Sequence, residues 1–97
     1  MSDLAHFQFE VGTWGNKTFG AATQVSIVKH LAREVKELAE SQEPEEAADC
    51  LLLLLHHAHR GGYDLLNVAR NKMLVNHERI WKAPDAEGVC EHEEVTS

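Results

Sequence analysis

Apolar residues return at helical spacing through most of the chain after residue 20. Val28, Leu31, Ala32, Val35, Leu38 and Ala39 recur every three or four positions and predict one amphipathic helix from about Ala22 to Ser41. Gln42-Glu43-Pro44 ends it, because proline lacks an amide donor and suits the first turn of a following helix. The second helix, Pro44 to Arg60, is apolar nearly all round through Leu51 to Leu55, so it is expected to be buried on several sides. Gly61-Gly62 stops it, Asp64 is a candidate N-cap, and Leu65, Leu66, Ala69, Met73 and Ile80 mark a third helix to about Lys82. Residues 1–20, with Gly12, Gly15 and Gly20 among aromatics, read as irregular or briefly extended. The tail 83–97, with Pro84 and Gly88, reads as a loop that is docked or flexible.

Short connections force neighbouring helices to run antiparallel. The expected fold is therefore all-α, an antiparallel helical hairpin with a third helix folded beside it. A chain of 97 residues forms one domain, 1–97, and buries a modest core alone. A four-helix-bundle-like core completed by oligomerisation, as a homodimer or homotetramer, is the expectation.

Charge sharpens this picture. Nine basic residues face sixteen acidic ones, for a net charge of −7, and no basic cluster of useful size exists. Nucleic acid is thus not an expected partner, and a polyanionic ligand would need bridging cations. Cys50 and Cys90 form neither a disulfide framework nor a paired metal knuckle, which fits a reducing cytoplasm. The first residues lack the pattern of a signal peptide, and the leucine run is too short to cross a bilayer, so no membrane partner is expected.

Candidate chemistry gathers in two places. Glu34 and Glu37 lie three apart on the first predicted helix, and Glu46 and Asp49 repeat that spacing on the second. The short loop brings both pairs to one end of the hairpin, where four carboxylates would converge. Such a group repels itself unless cations intervene, and its oxygen-only ligands suit Mg²⁺ or Mn²⁺, with two or more ions expected. A solvated acidic face is the competing reading; against it, Glu34, Glu46 and Asp49 border apolar stripes, where unpaired charge is costly. On the third helix Lys72, Asn76 and Arg79 form a polar stripe able to hold phosphate, or equally an ordinary surface stripe. The seven histidines do not make a bundle-type di-iron site, since no Glu lies three residues before a His, and no glycine-rich phosphate loop is present. Trp14 and Trp81 are stacking surfaces for a base or parts of the core.

Glu34-Val-Lys-Glu37, Glu46-Ala-Ala-Asp49, and then Lys72, Asn76 and Arg79 resemble the ExxE…ExxD and K…N..R signatures of the MazG-like nucleotide pyrophosphohydrolases. Trp14-Gly15, Thr18-Phe19-Gly20, His30-Leu31 and the tail from Arg79 to His92 are similar to the short phage and bacterial dATP/dGTP branch that includes MazZ-type enzymes. One departure is Arg33, where many MazG proteins carry a glutamate. The resemblance implies hydrolysis of a purine nucleoside triphosphate, dGTP or GTP ahead of dATP, between its α and β phosphorus. It implies metal ligands at Glu34, Glu37, Glu46 and Asp49, catalytic roles for Glu37, as general base, and Glu34, and phosphate or sugar contacts from Lys72, Asn76 and Arg79. A phage-encoded copy would act in the host cytoplasm. Pyrimidine substrates with the same chemistry, or an acidic helical interaction module without catalysis, remain as alternatives.

Overall fold

The computed structural model describes residues 3–79 and 81–92, and four helices account for most of them. They are α1 (Asp3–Thr18), α2 (Gln24–Ser41), α3 (Pro44–Gly61) and α4 (Leu65–Glu78). Helix α3 is central: α1 and α2 both pack along it, whereas α4 touches only α1 and α3, and lightly. Val11, Ile27, Leu53, Leu55 and Ala58 are the buried apolar residues, so the core lies where α1 and α2 meet the leucine-rich helix. No described helix is long and apolar enough to cross a membrane.

The predicted boundaries of the hairpin hold closely. Thr23 caps α2 in a reciprocal box with Ser26, each side chain bonded to the other residue's backbone. At the other end Gln42 adopts the left-handed conformation (φ 59°) and donates its amide to Leu38, Glu43 is extended, and Pro44 opens α3. Gly62 ends α3 at φ 73°, and the Asp64 carboxylate accepts from the Asn67 amide to start α4. The corner between α3 and α4 is clamped from α1 by buried Gln8, which donates to Tyr63 O at 2.7 Å and accepts from Leu65 N at 3.0 Å.

Two expectations need correction. Residues 1–20 are not irregular, because Asp3–Thr18 is helical. Its glycines serve packing: a Cβ on Gly12 would overlap His59, and one on Gly15 would lie 2.8 Å from the His56 ring. Glycine costs a helix roughly 0.5–1 kcal/mol relative to alanine, and the close approach of α1 to α3 offsets it. The third predicted helix also stops early, at Glu78 instead of Lys82. Arg79 turns extended, its amide bonds back to Asn76 O, and the Trp81 indole donates to the same carbonyl at 3.1 Å. The chain then folds on itself, pairing Trp81 with His92 and closing through an Asp85 turn whose carboxylate accepts from the Glu87 and Val89 amides. Ile80 and the last part of the tail, 93–97, lie outside the described residues.

The packing is open for a chain of this size. The radius of gyration is 16.0 Å, against about 12.5 Å for a compact domain of equal length. The accessible surface is 7383 Å², roughly 1,800 Å² above the value expected for this mass. Helix α4 contributes to the excess, as none of its described residues is buried and Val68, Met73, Leu74 and Val75 are exposed.

Two predictions follow from the α1–α3 contact. Replacing Gly12 with alanine should destabilise the protein by about 1–3 kcal/mol through overpacking against His59, seen as a lower thermal midpoint. Gly20→Ala, with only Asn16 O at 3.6 Å, should leave the midpoint nearly unchanged. Burial, aided by Arg60 and His59, holds the His56 imidazole below the ordinary histidine range. The unfolded chain therefore takes up that proton first as pH falls. Denaturant titrations should show stability intact above about pH 6.5 and declining below it, with His56→Gln flattening the decline.

Candidate functional site

The two-residue connection Gln42-Glu43 sets α2 and α3 side by side, and two turns from that corner the acidic pairs meet. Glu34, Glu46 and Asp49 can each offer a carboxylate oxygen within 4.8 Å of the others. Glu37 stands outside this triad, exposed, yet close enough to Glu46 to act on it by charge and by hydrogen bonding. Four carboxylates are thus brought together, three as a compact ligand set.

Their surroundings make charge in the cluster costly. One oxygen of Glu34 and one of Glu46 are buried without any hydrogen-bond partner. An acceptor left without a partner keeps the cost of the hydration it has lost, and more so when it is charged. Burial pushes the Glu46 carboxyl above its usual range, and the charges of Glu37, Glu34 and Asp49 push it in the same direction. The neighbouring Cys50 thiol is held up for the same reasons, by burial and then by Glu34, Asp49 and Glu46. A divalent ion would resolve each of these costs at once, and an all-oxygen donor set suits Mg²⁺ or Mn²⁺.

Glu34 is oriented by its own helix. His30, one turn before Glu34, places Nε2 3.2 Å from Glu34 Oε1 and leaves the buried Oε2 for the cluster. The i,i+4 spacing of His30 and Glu34 was the available sequence signal for this pair, and reading carboxylates alone passes over it. Rings enclose the same side. Phe19, just beyond α1, meets Trp14 and His30 edge-on at 5.5 and 6.4 Å. Trp14, Phe19, His30, Leu52 and Leu53 line a hollow of about 160 Å³ whose remaining wall is Glu34 and Asp49.

The α4 stripe is elsewhere. Lys72 and Asn76 lie on α4 and Arg79 at its cap, and among the described residues no contact joins α4 to α2. Asn76 Oδ1 is buried without a partner. Trp81 also stands with this group, edge-on to His92 at 5.9 Å, so the two tryptophans belong to different parts of the chain.

A family model for dATP/dGTP pyrophosphohydrolases matches residues 7–95. The chain belongs to the dATP/dGTP pyrophosphohydrolase family. Within that family's reach, it is 32% identical over 81 residues to a protein of Salmonella phage PMBT28 described as a dATP/dGTP diphosphohydrolase. The match takes in 81% of this chain and 28% of the phage protein, so the chain spans little more than a quarter of that relative's length. Among solved structures it superimposes with a TM-score of 0.85 on the cyanophage S-2L MazG-like pyrophosphohydrolase, at 26% identity, over 98% of this chain and 97% of the other. That structure contains dGDP and three catalytic Mn²⁺ ions per active site. The all-α MazG-like fold expected from the sequence is therefore the fold observed.

If the triad binds Mn²⁺, the ion stabilises the folded state by mass action. At a hundred times the dissociation constant the gain is about 2.7 kcal/mol, on the order of 10 °C in a domain this small. Thermal unfolding with and without Mn²⁺ should show that rise. Glu46→Gln should abolish it while raising the midpoint in chelator, because one repelling charge is gone.

Proposed function

We propose that this chain hydrolyses a purine deoxynucleoside triphosphate, dGTP foremost, between the α and β phosphorus, releasing a monophosphate and pyrophosphate. The observation that carries the reading is the convergence of Glu34, Glu46 and Asp49 around two buried carboxylate oxygens with no partner. The family's name and the dGDP in the cyanophage neighbour support the purine, and that neighbour's Mn²⁺ supports the cation.

Glu34, Glu46 and Asp49 would hold the metal, with Glu37 completing the set from the exposed side. Two or more Mg²⁺ or Mn²⁺ ions bound there would supply Lewis acidity at the phosphate oxygens and ionise the attacking water. The water oxygen adds to the α-phosphorus as the bond from that phosphorus to the bridging oxygen breaks, and pyrophosphate leaves with the electron pair. Glu37, exposed and beside Glu46, accepts the proton. His30 holds Glu34 in place during this step, and Trp14 packs against the nucleoside.

Lys72, Asn76 and Arg79 are assigned to the pyrophosphate and sugar, where their charge offsets that of the leaving group. Since α4 does not meet α2 in one chain, this stripe and Trp81 would serve the acidic cluster of a second copy. The open packing and the exposed apolar side chains of α4 support a homodimer or homotetramer, as the surface excess is more than the roughly 800 Å² that one protomer buries in a standard stable interface. The single-domain reading of 1–97 and action in the cytoplasm, the host's if the chain is phage-encoded, belong to the same proposal.

The test is incubation with Mg²⁺ or Mn²⁺ and each of dGTP, GTP, dATP, dCTP and dTTP, with chromatographic separation of products. Monophosphate and pyrophosphate should appear together, with no diphosphate, and only with metal. Glu34→Gln and Asp49→Asn should each lower the rate roughly a hundredfold or more while the protein stays folded by circular dichroism. Survival of every nucleotide in both metals would overturn the proposal in favour of an interaction module.

A further inference from the structure

The connection between α1 and α2, residues 19–23, is fastened to the C-terminal end of α3. Arg60, in the last turn of α3, donates through Nε to Ala22 O at 2.9 Å and through Nη2 to both Ala22 O and Gly20 O, the latter at 3.4 Å. The guanidinium thus grips two carbonyls just beyond the end of α1, where backbone acceptors lack helical partners and a cation is favoured. Among the described residues Arg60 is in no ion pair. Gln24 adds a second tie, donating to His57 O at 3.4 Å. A Cβ on residue 61 would overlap the Gln24 amide, so Gly61, still helical, leaves room for that tie, while Gly62 turns left-handed to end α3.

What these ties hold is Phe19. The turn is closed on itself, with Ala22 N bonded to Phe19 O at 2.6 Å and Phe19 N to Gly15 O at 2.8 Å, so a shift of Ala22 carries Phe19 with it. The ring stands between the acidic hollow and an adjoining one of about 370 Å³ that His56 also lines, and it walls both as one cleft. Trp14, His30 and His56 surround it at 5.5, 6.4 and 6.4 Å, yet it is 40% exposed, so packing holds it on one side only. Arg60 itself lies three helical turns from Asp49, roughly 16 Å along the axis, and reaches the cleft only through this turn. We propose that Arg60 is a positioning residue for nucleotide binding: by clamping the Gly20 and Ala22 carbonyls it sets the Phe19 wall against Trp14 and His30 before the nucleotide arrives. The proposal rests on the pyrophosphohydrolase reading and adds a residue outside the cleft that prepares it. The role needs arginine's planar fork, because lysine keeps the charge but offers one flexible donor group. Lysine therefore separates the clamp from any effect of charge, such as that of Arg60 on His56 one turn earlier.

The experiment is a double-mutant cycle on KM and kcat for dGTP in Mn²⁺, with Arg60→Lys, Phe19→Ala and the pair, each checked for folding by circular dichroism and thermal midpoint. Arg60→Lys should raise KM roughly threefold to tenfold, because the turn and its ring are then ordered at the moment of binding, and should leave kcat nearly unchanged. Phe19→Ala should raise KM at least as much, and adding Arg60→Lys to it should change little further. Additive losses would overturn the proposal, as would a fall in kcat alone or an Arg60→Lys protein with the wild-type KM. Arg60→Gln, read in the same cycle, serves if the lysine variant does not fold. Trp14 reports the wall without turnover. In a Trp81→Phe background acrylamide should quench Trp14 more readily in Arg60→Lys, as it should in Phe19→Ala, and quenching like that of the unsubstituted protein would overturn the clamp. If the wild type cleaves no nucleotide, the pyrophosphohydrolase reading fails by itself, and the quenching result then decides the clamp alone.

Discussion

The two residues between α2 and α3 constrain everything that follows. Gln42 accepts a left-handed backbone to close one helix, Glu43 is extended, and Pro44 starts the next, so the helices reverse with no slack. With that length fixed, residues equidistant from the turn must face each other, and four acidic side chains fall into that class. The protein cannot separate these charges without lengthening its tightest connection. The hairpin thus holds a repulsive cluster in place by geometry, and a cation placed among the carboxylates would relieve that repulsion.

Much of this was legible in the amino-acid order. The period of Val28 to Ala39, the proline at 44, the glycines at 61 and 62 and the cap at Asp64 each act through local backbone chemistry, and the helix limits they predict are met within two or three residues. The carboxylate spacing was legible for the same reason, since i,i+3 pairs on two helices joined by a short link have few arrangements. What failed depended on distant partners. Gly12 and Gly15 look like turn residues until α3 is laid beside them; then they are the positions where a helix must have no side chain. The end of α4 is set by an indole five residues beyond Asn76, a contact that periodicity does not encode.

The fold is also uneven. One helix, α3, serves as the floor for two others, while α4 leaves the body with apolar side chains in solvent. The acidic cluster and the basic stripe, complementary in charge and both parts of the family signature, are kept apart within one chain. On the proposed function, a site that uses both would draw the basic stripe from another copy, so the separation of the charges and the exposed apolar face of α4 point to the same arrangement.

The glycines of α1 reach further than the helix contact they permit. Phe19 is tied by its amide to Gly15 O at 2.8 Å, so the ring that walls the cleft rides on the last turn of α1. The distance from that ring to Leu53 is then a helix-to-helix spacing, fixed by how closely backbone meets the imidazoles of His56 and His59. A methyl group on Gly15 would press on His56, itself part of the wall of the adjoining hollow, so the spacing of the two helices and the shape of that hollow are a single quantity.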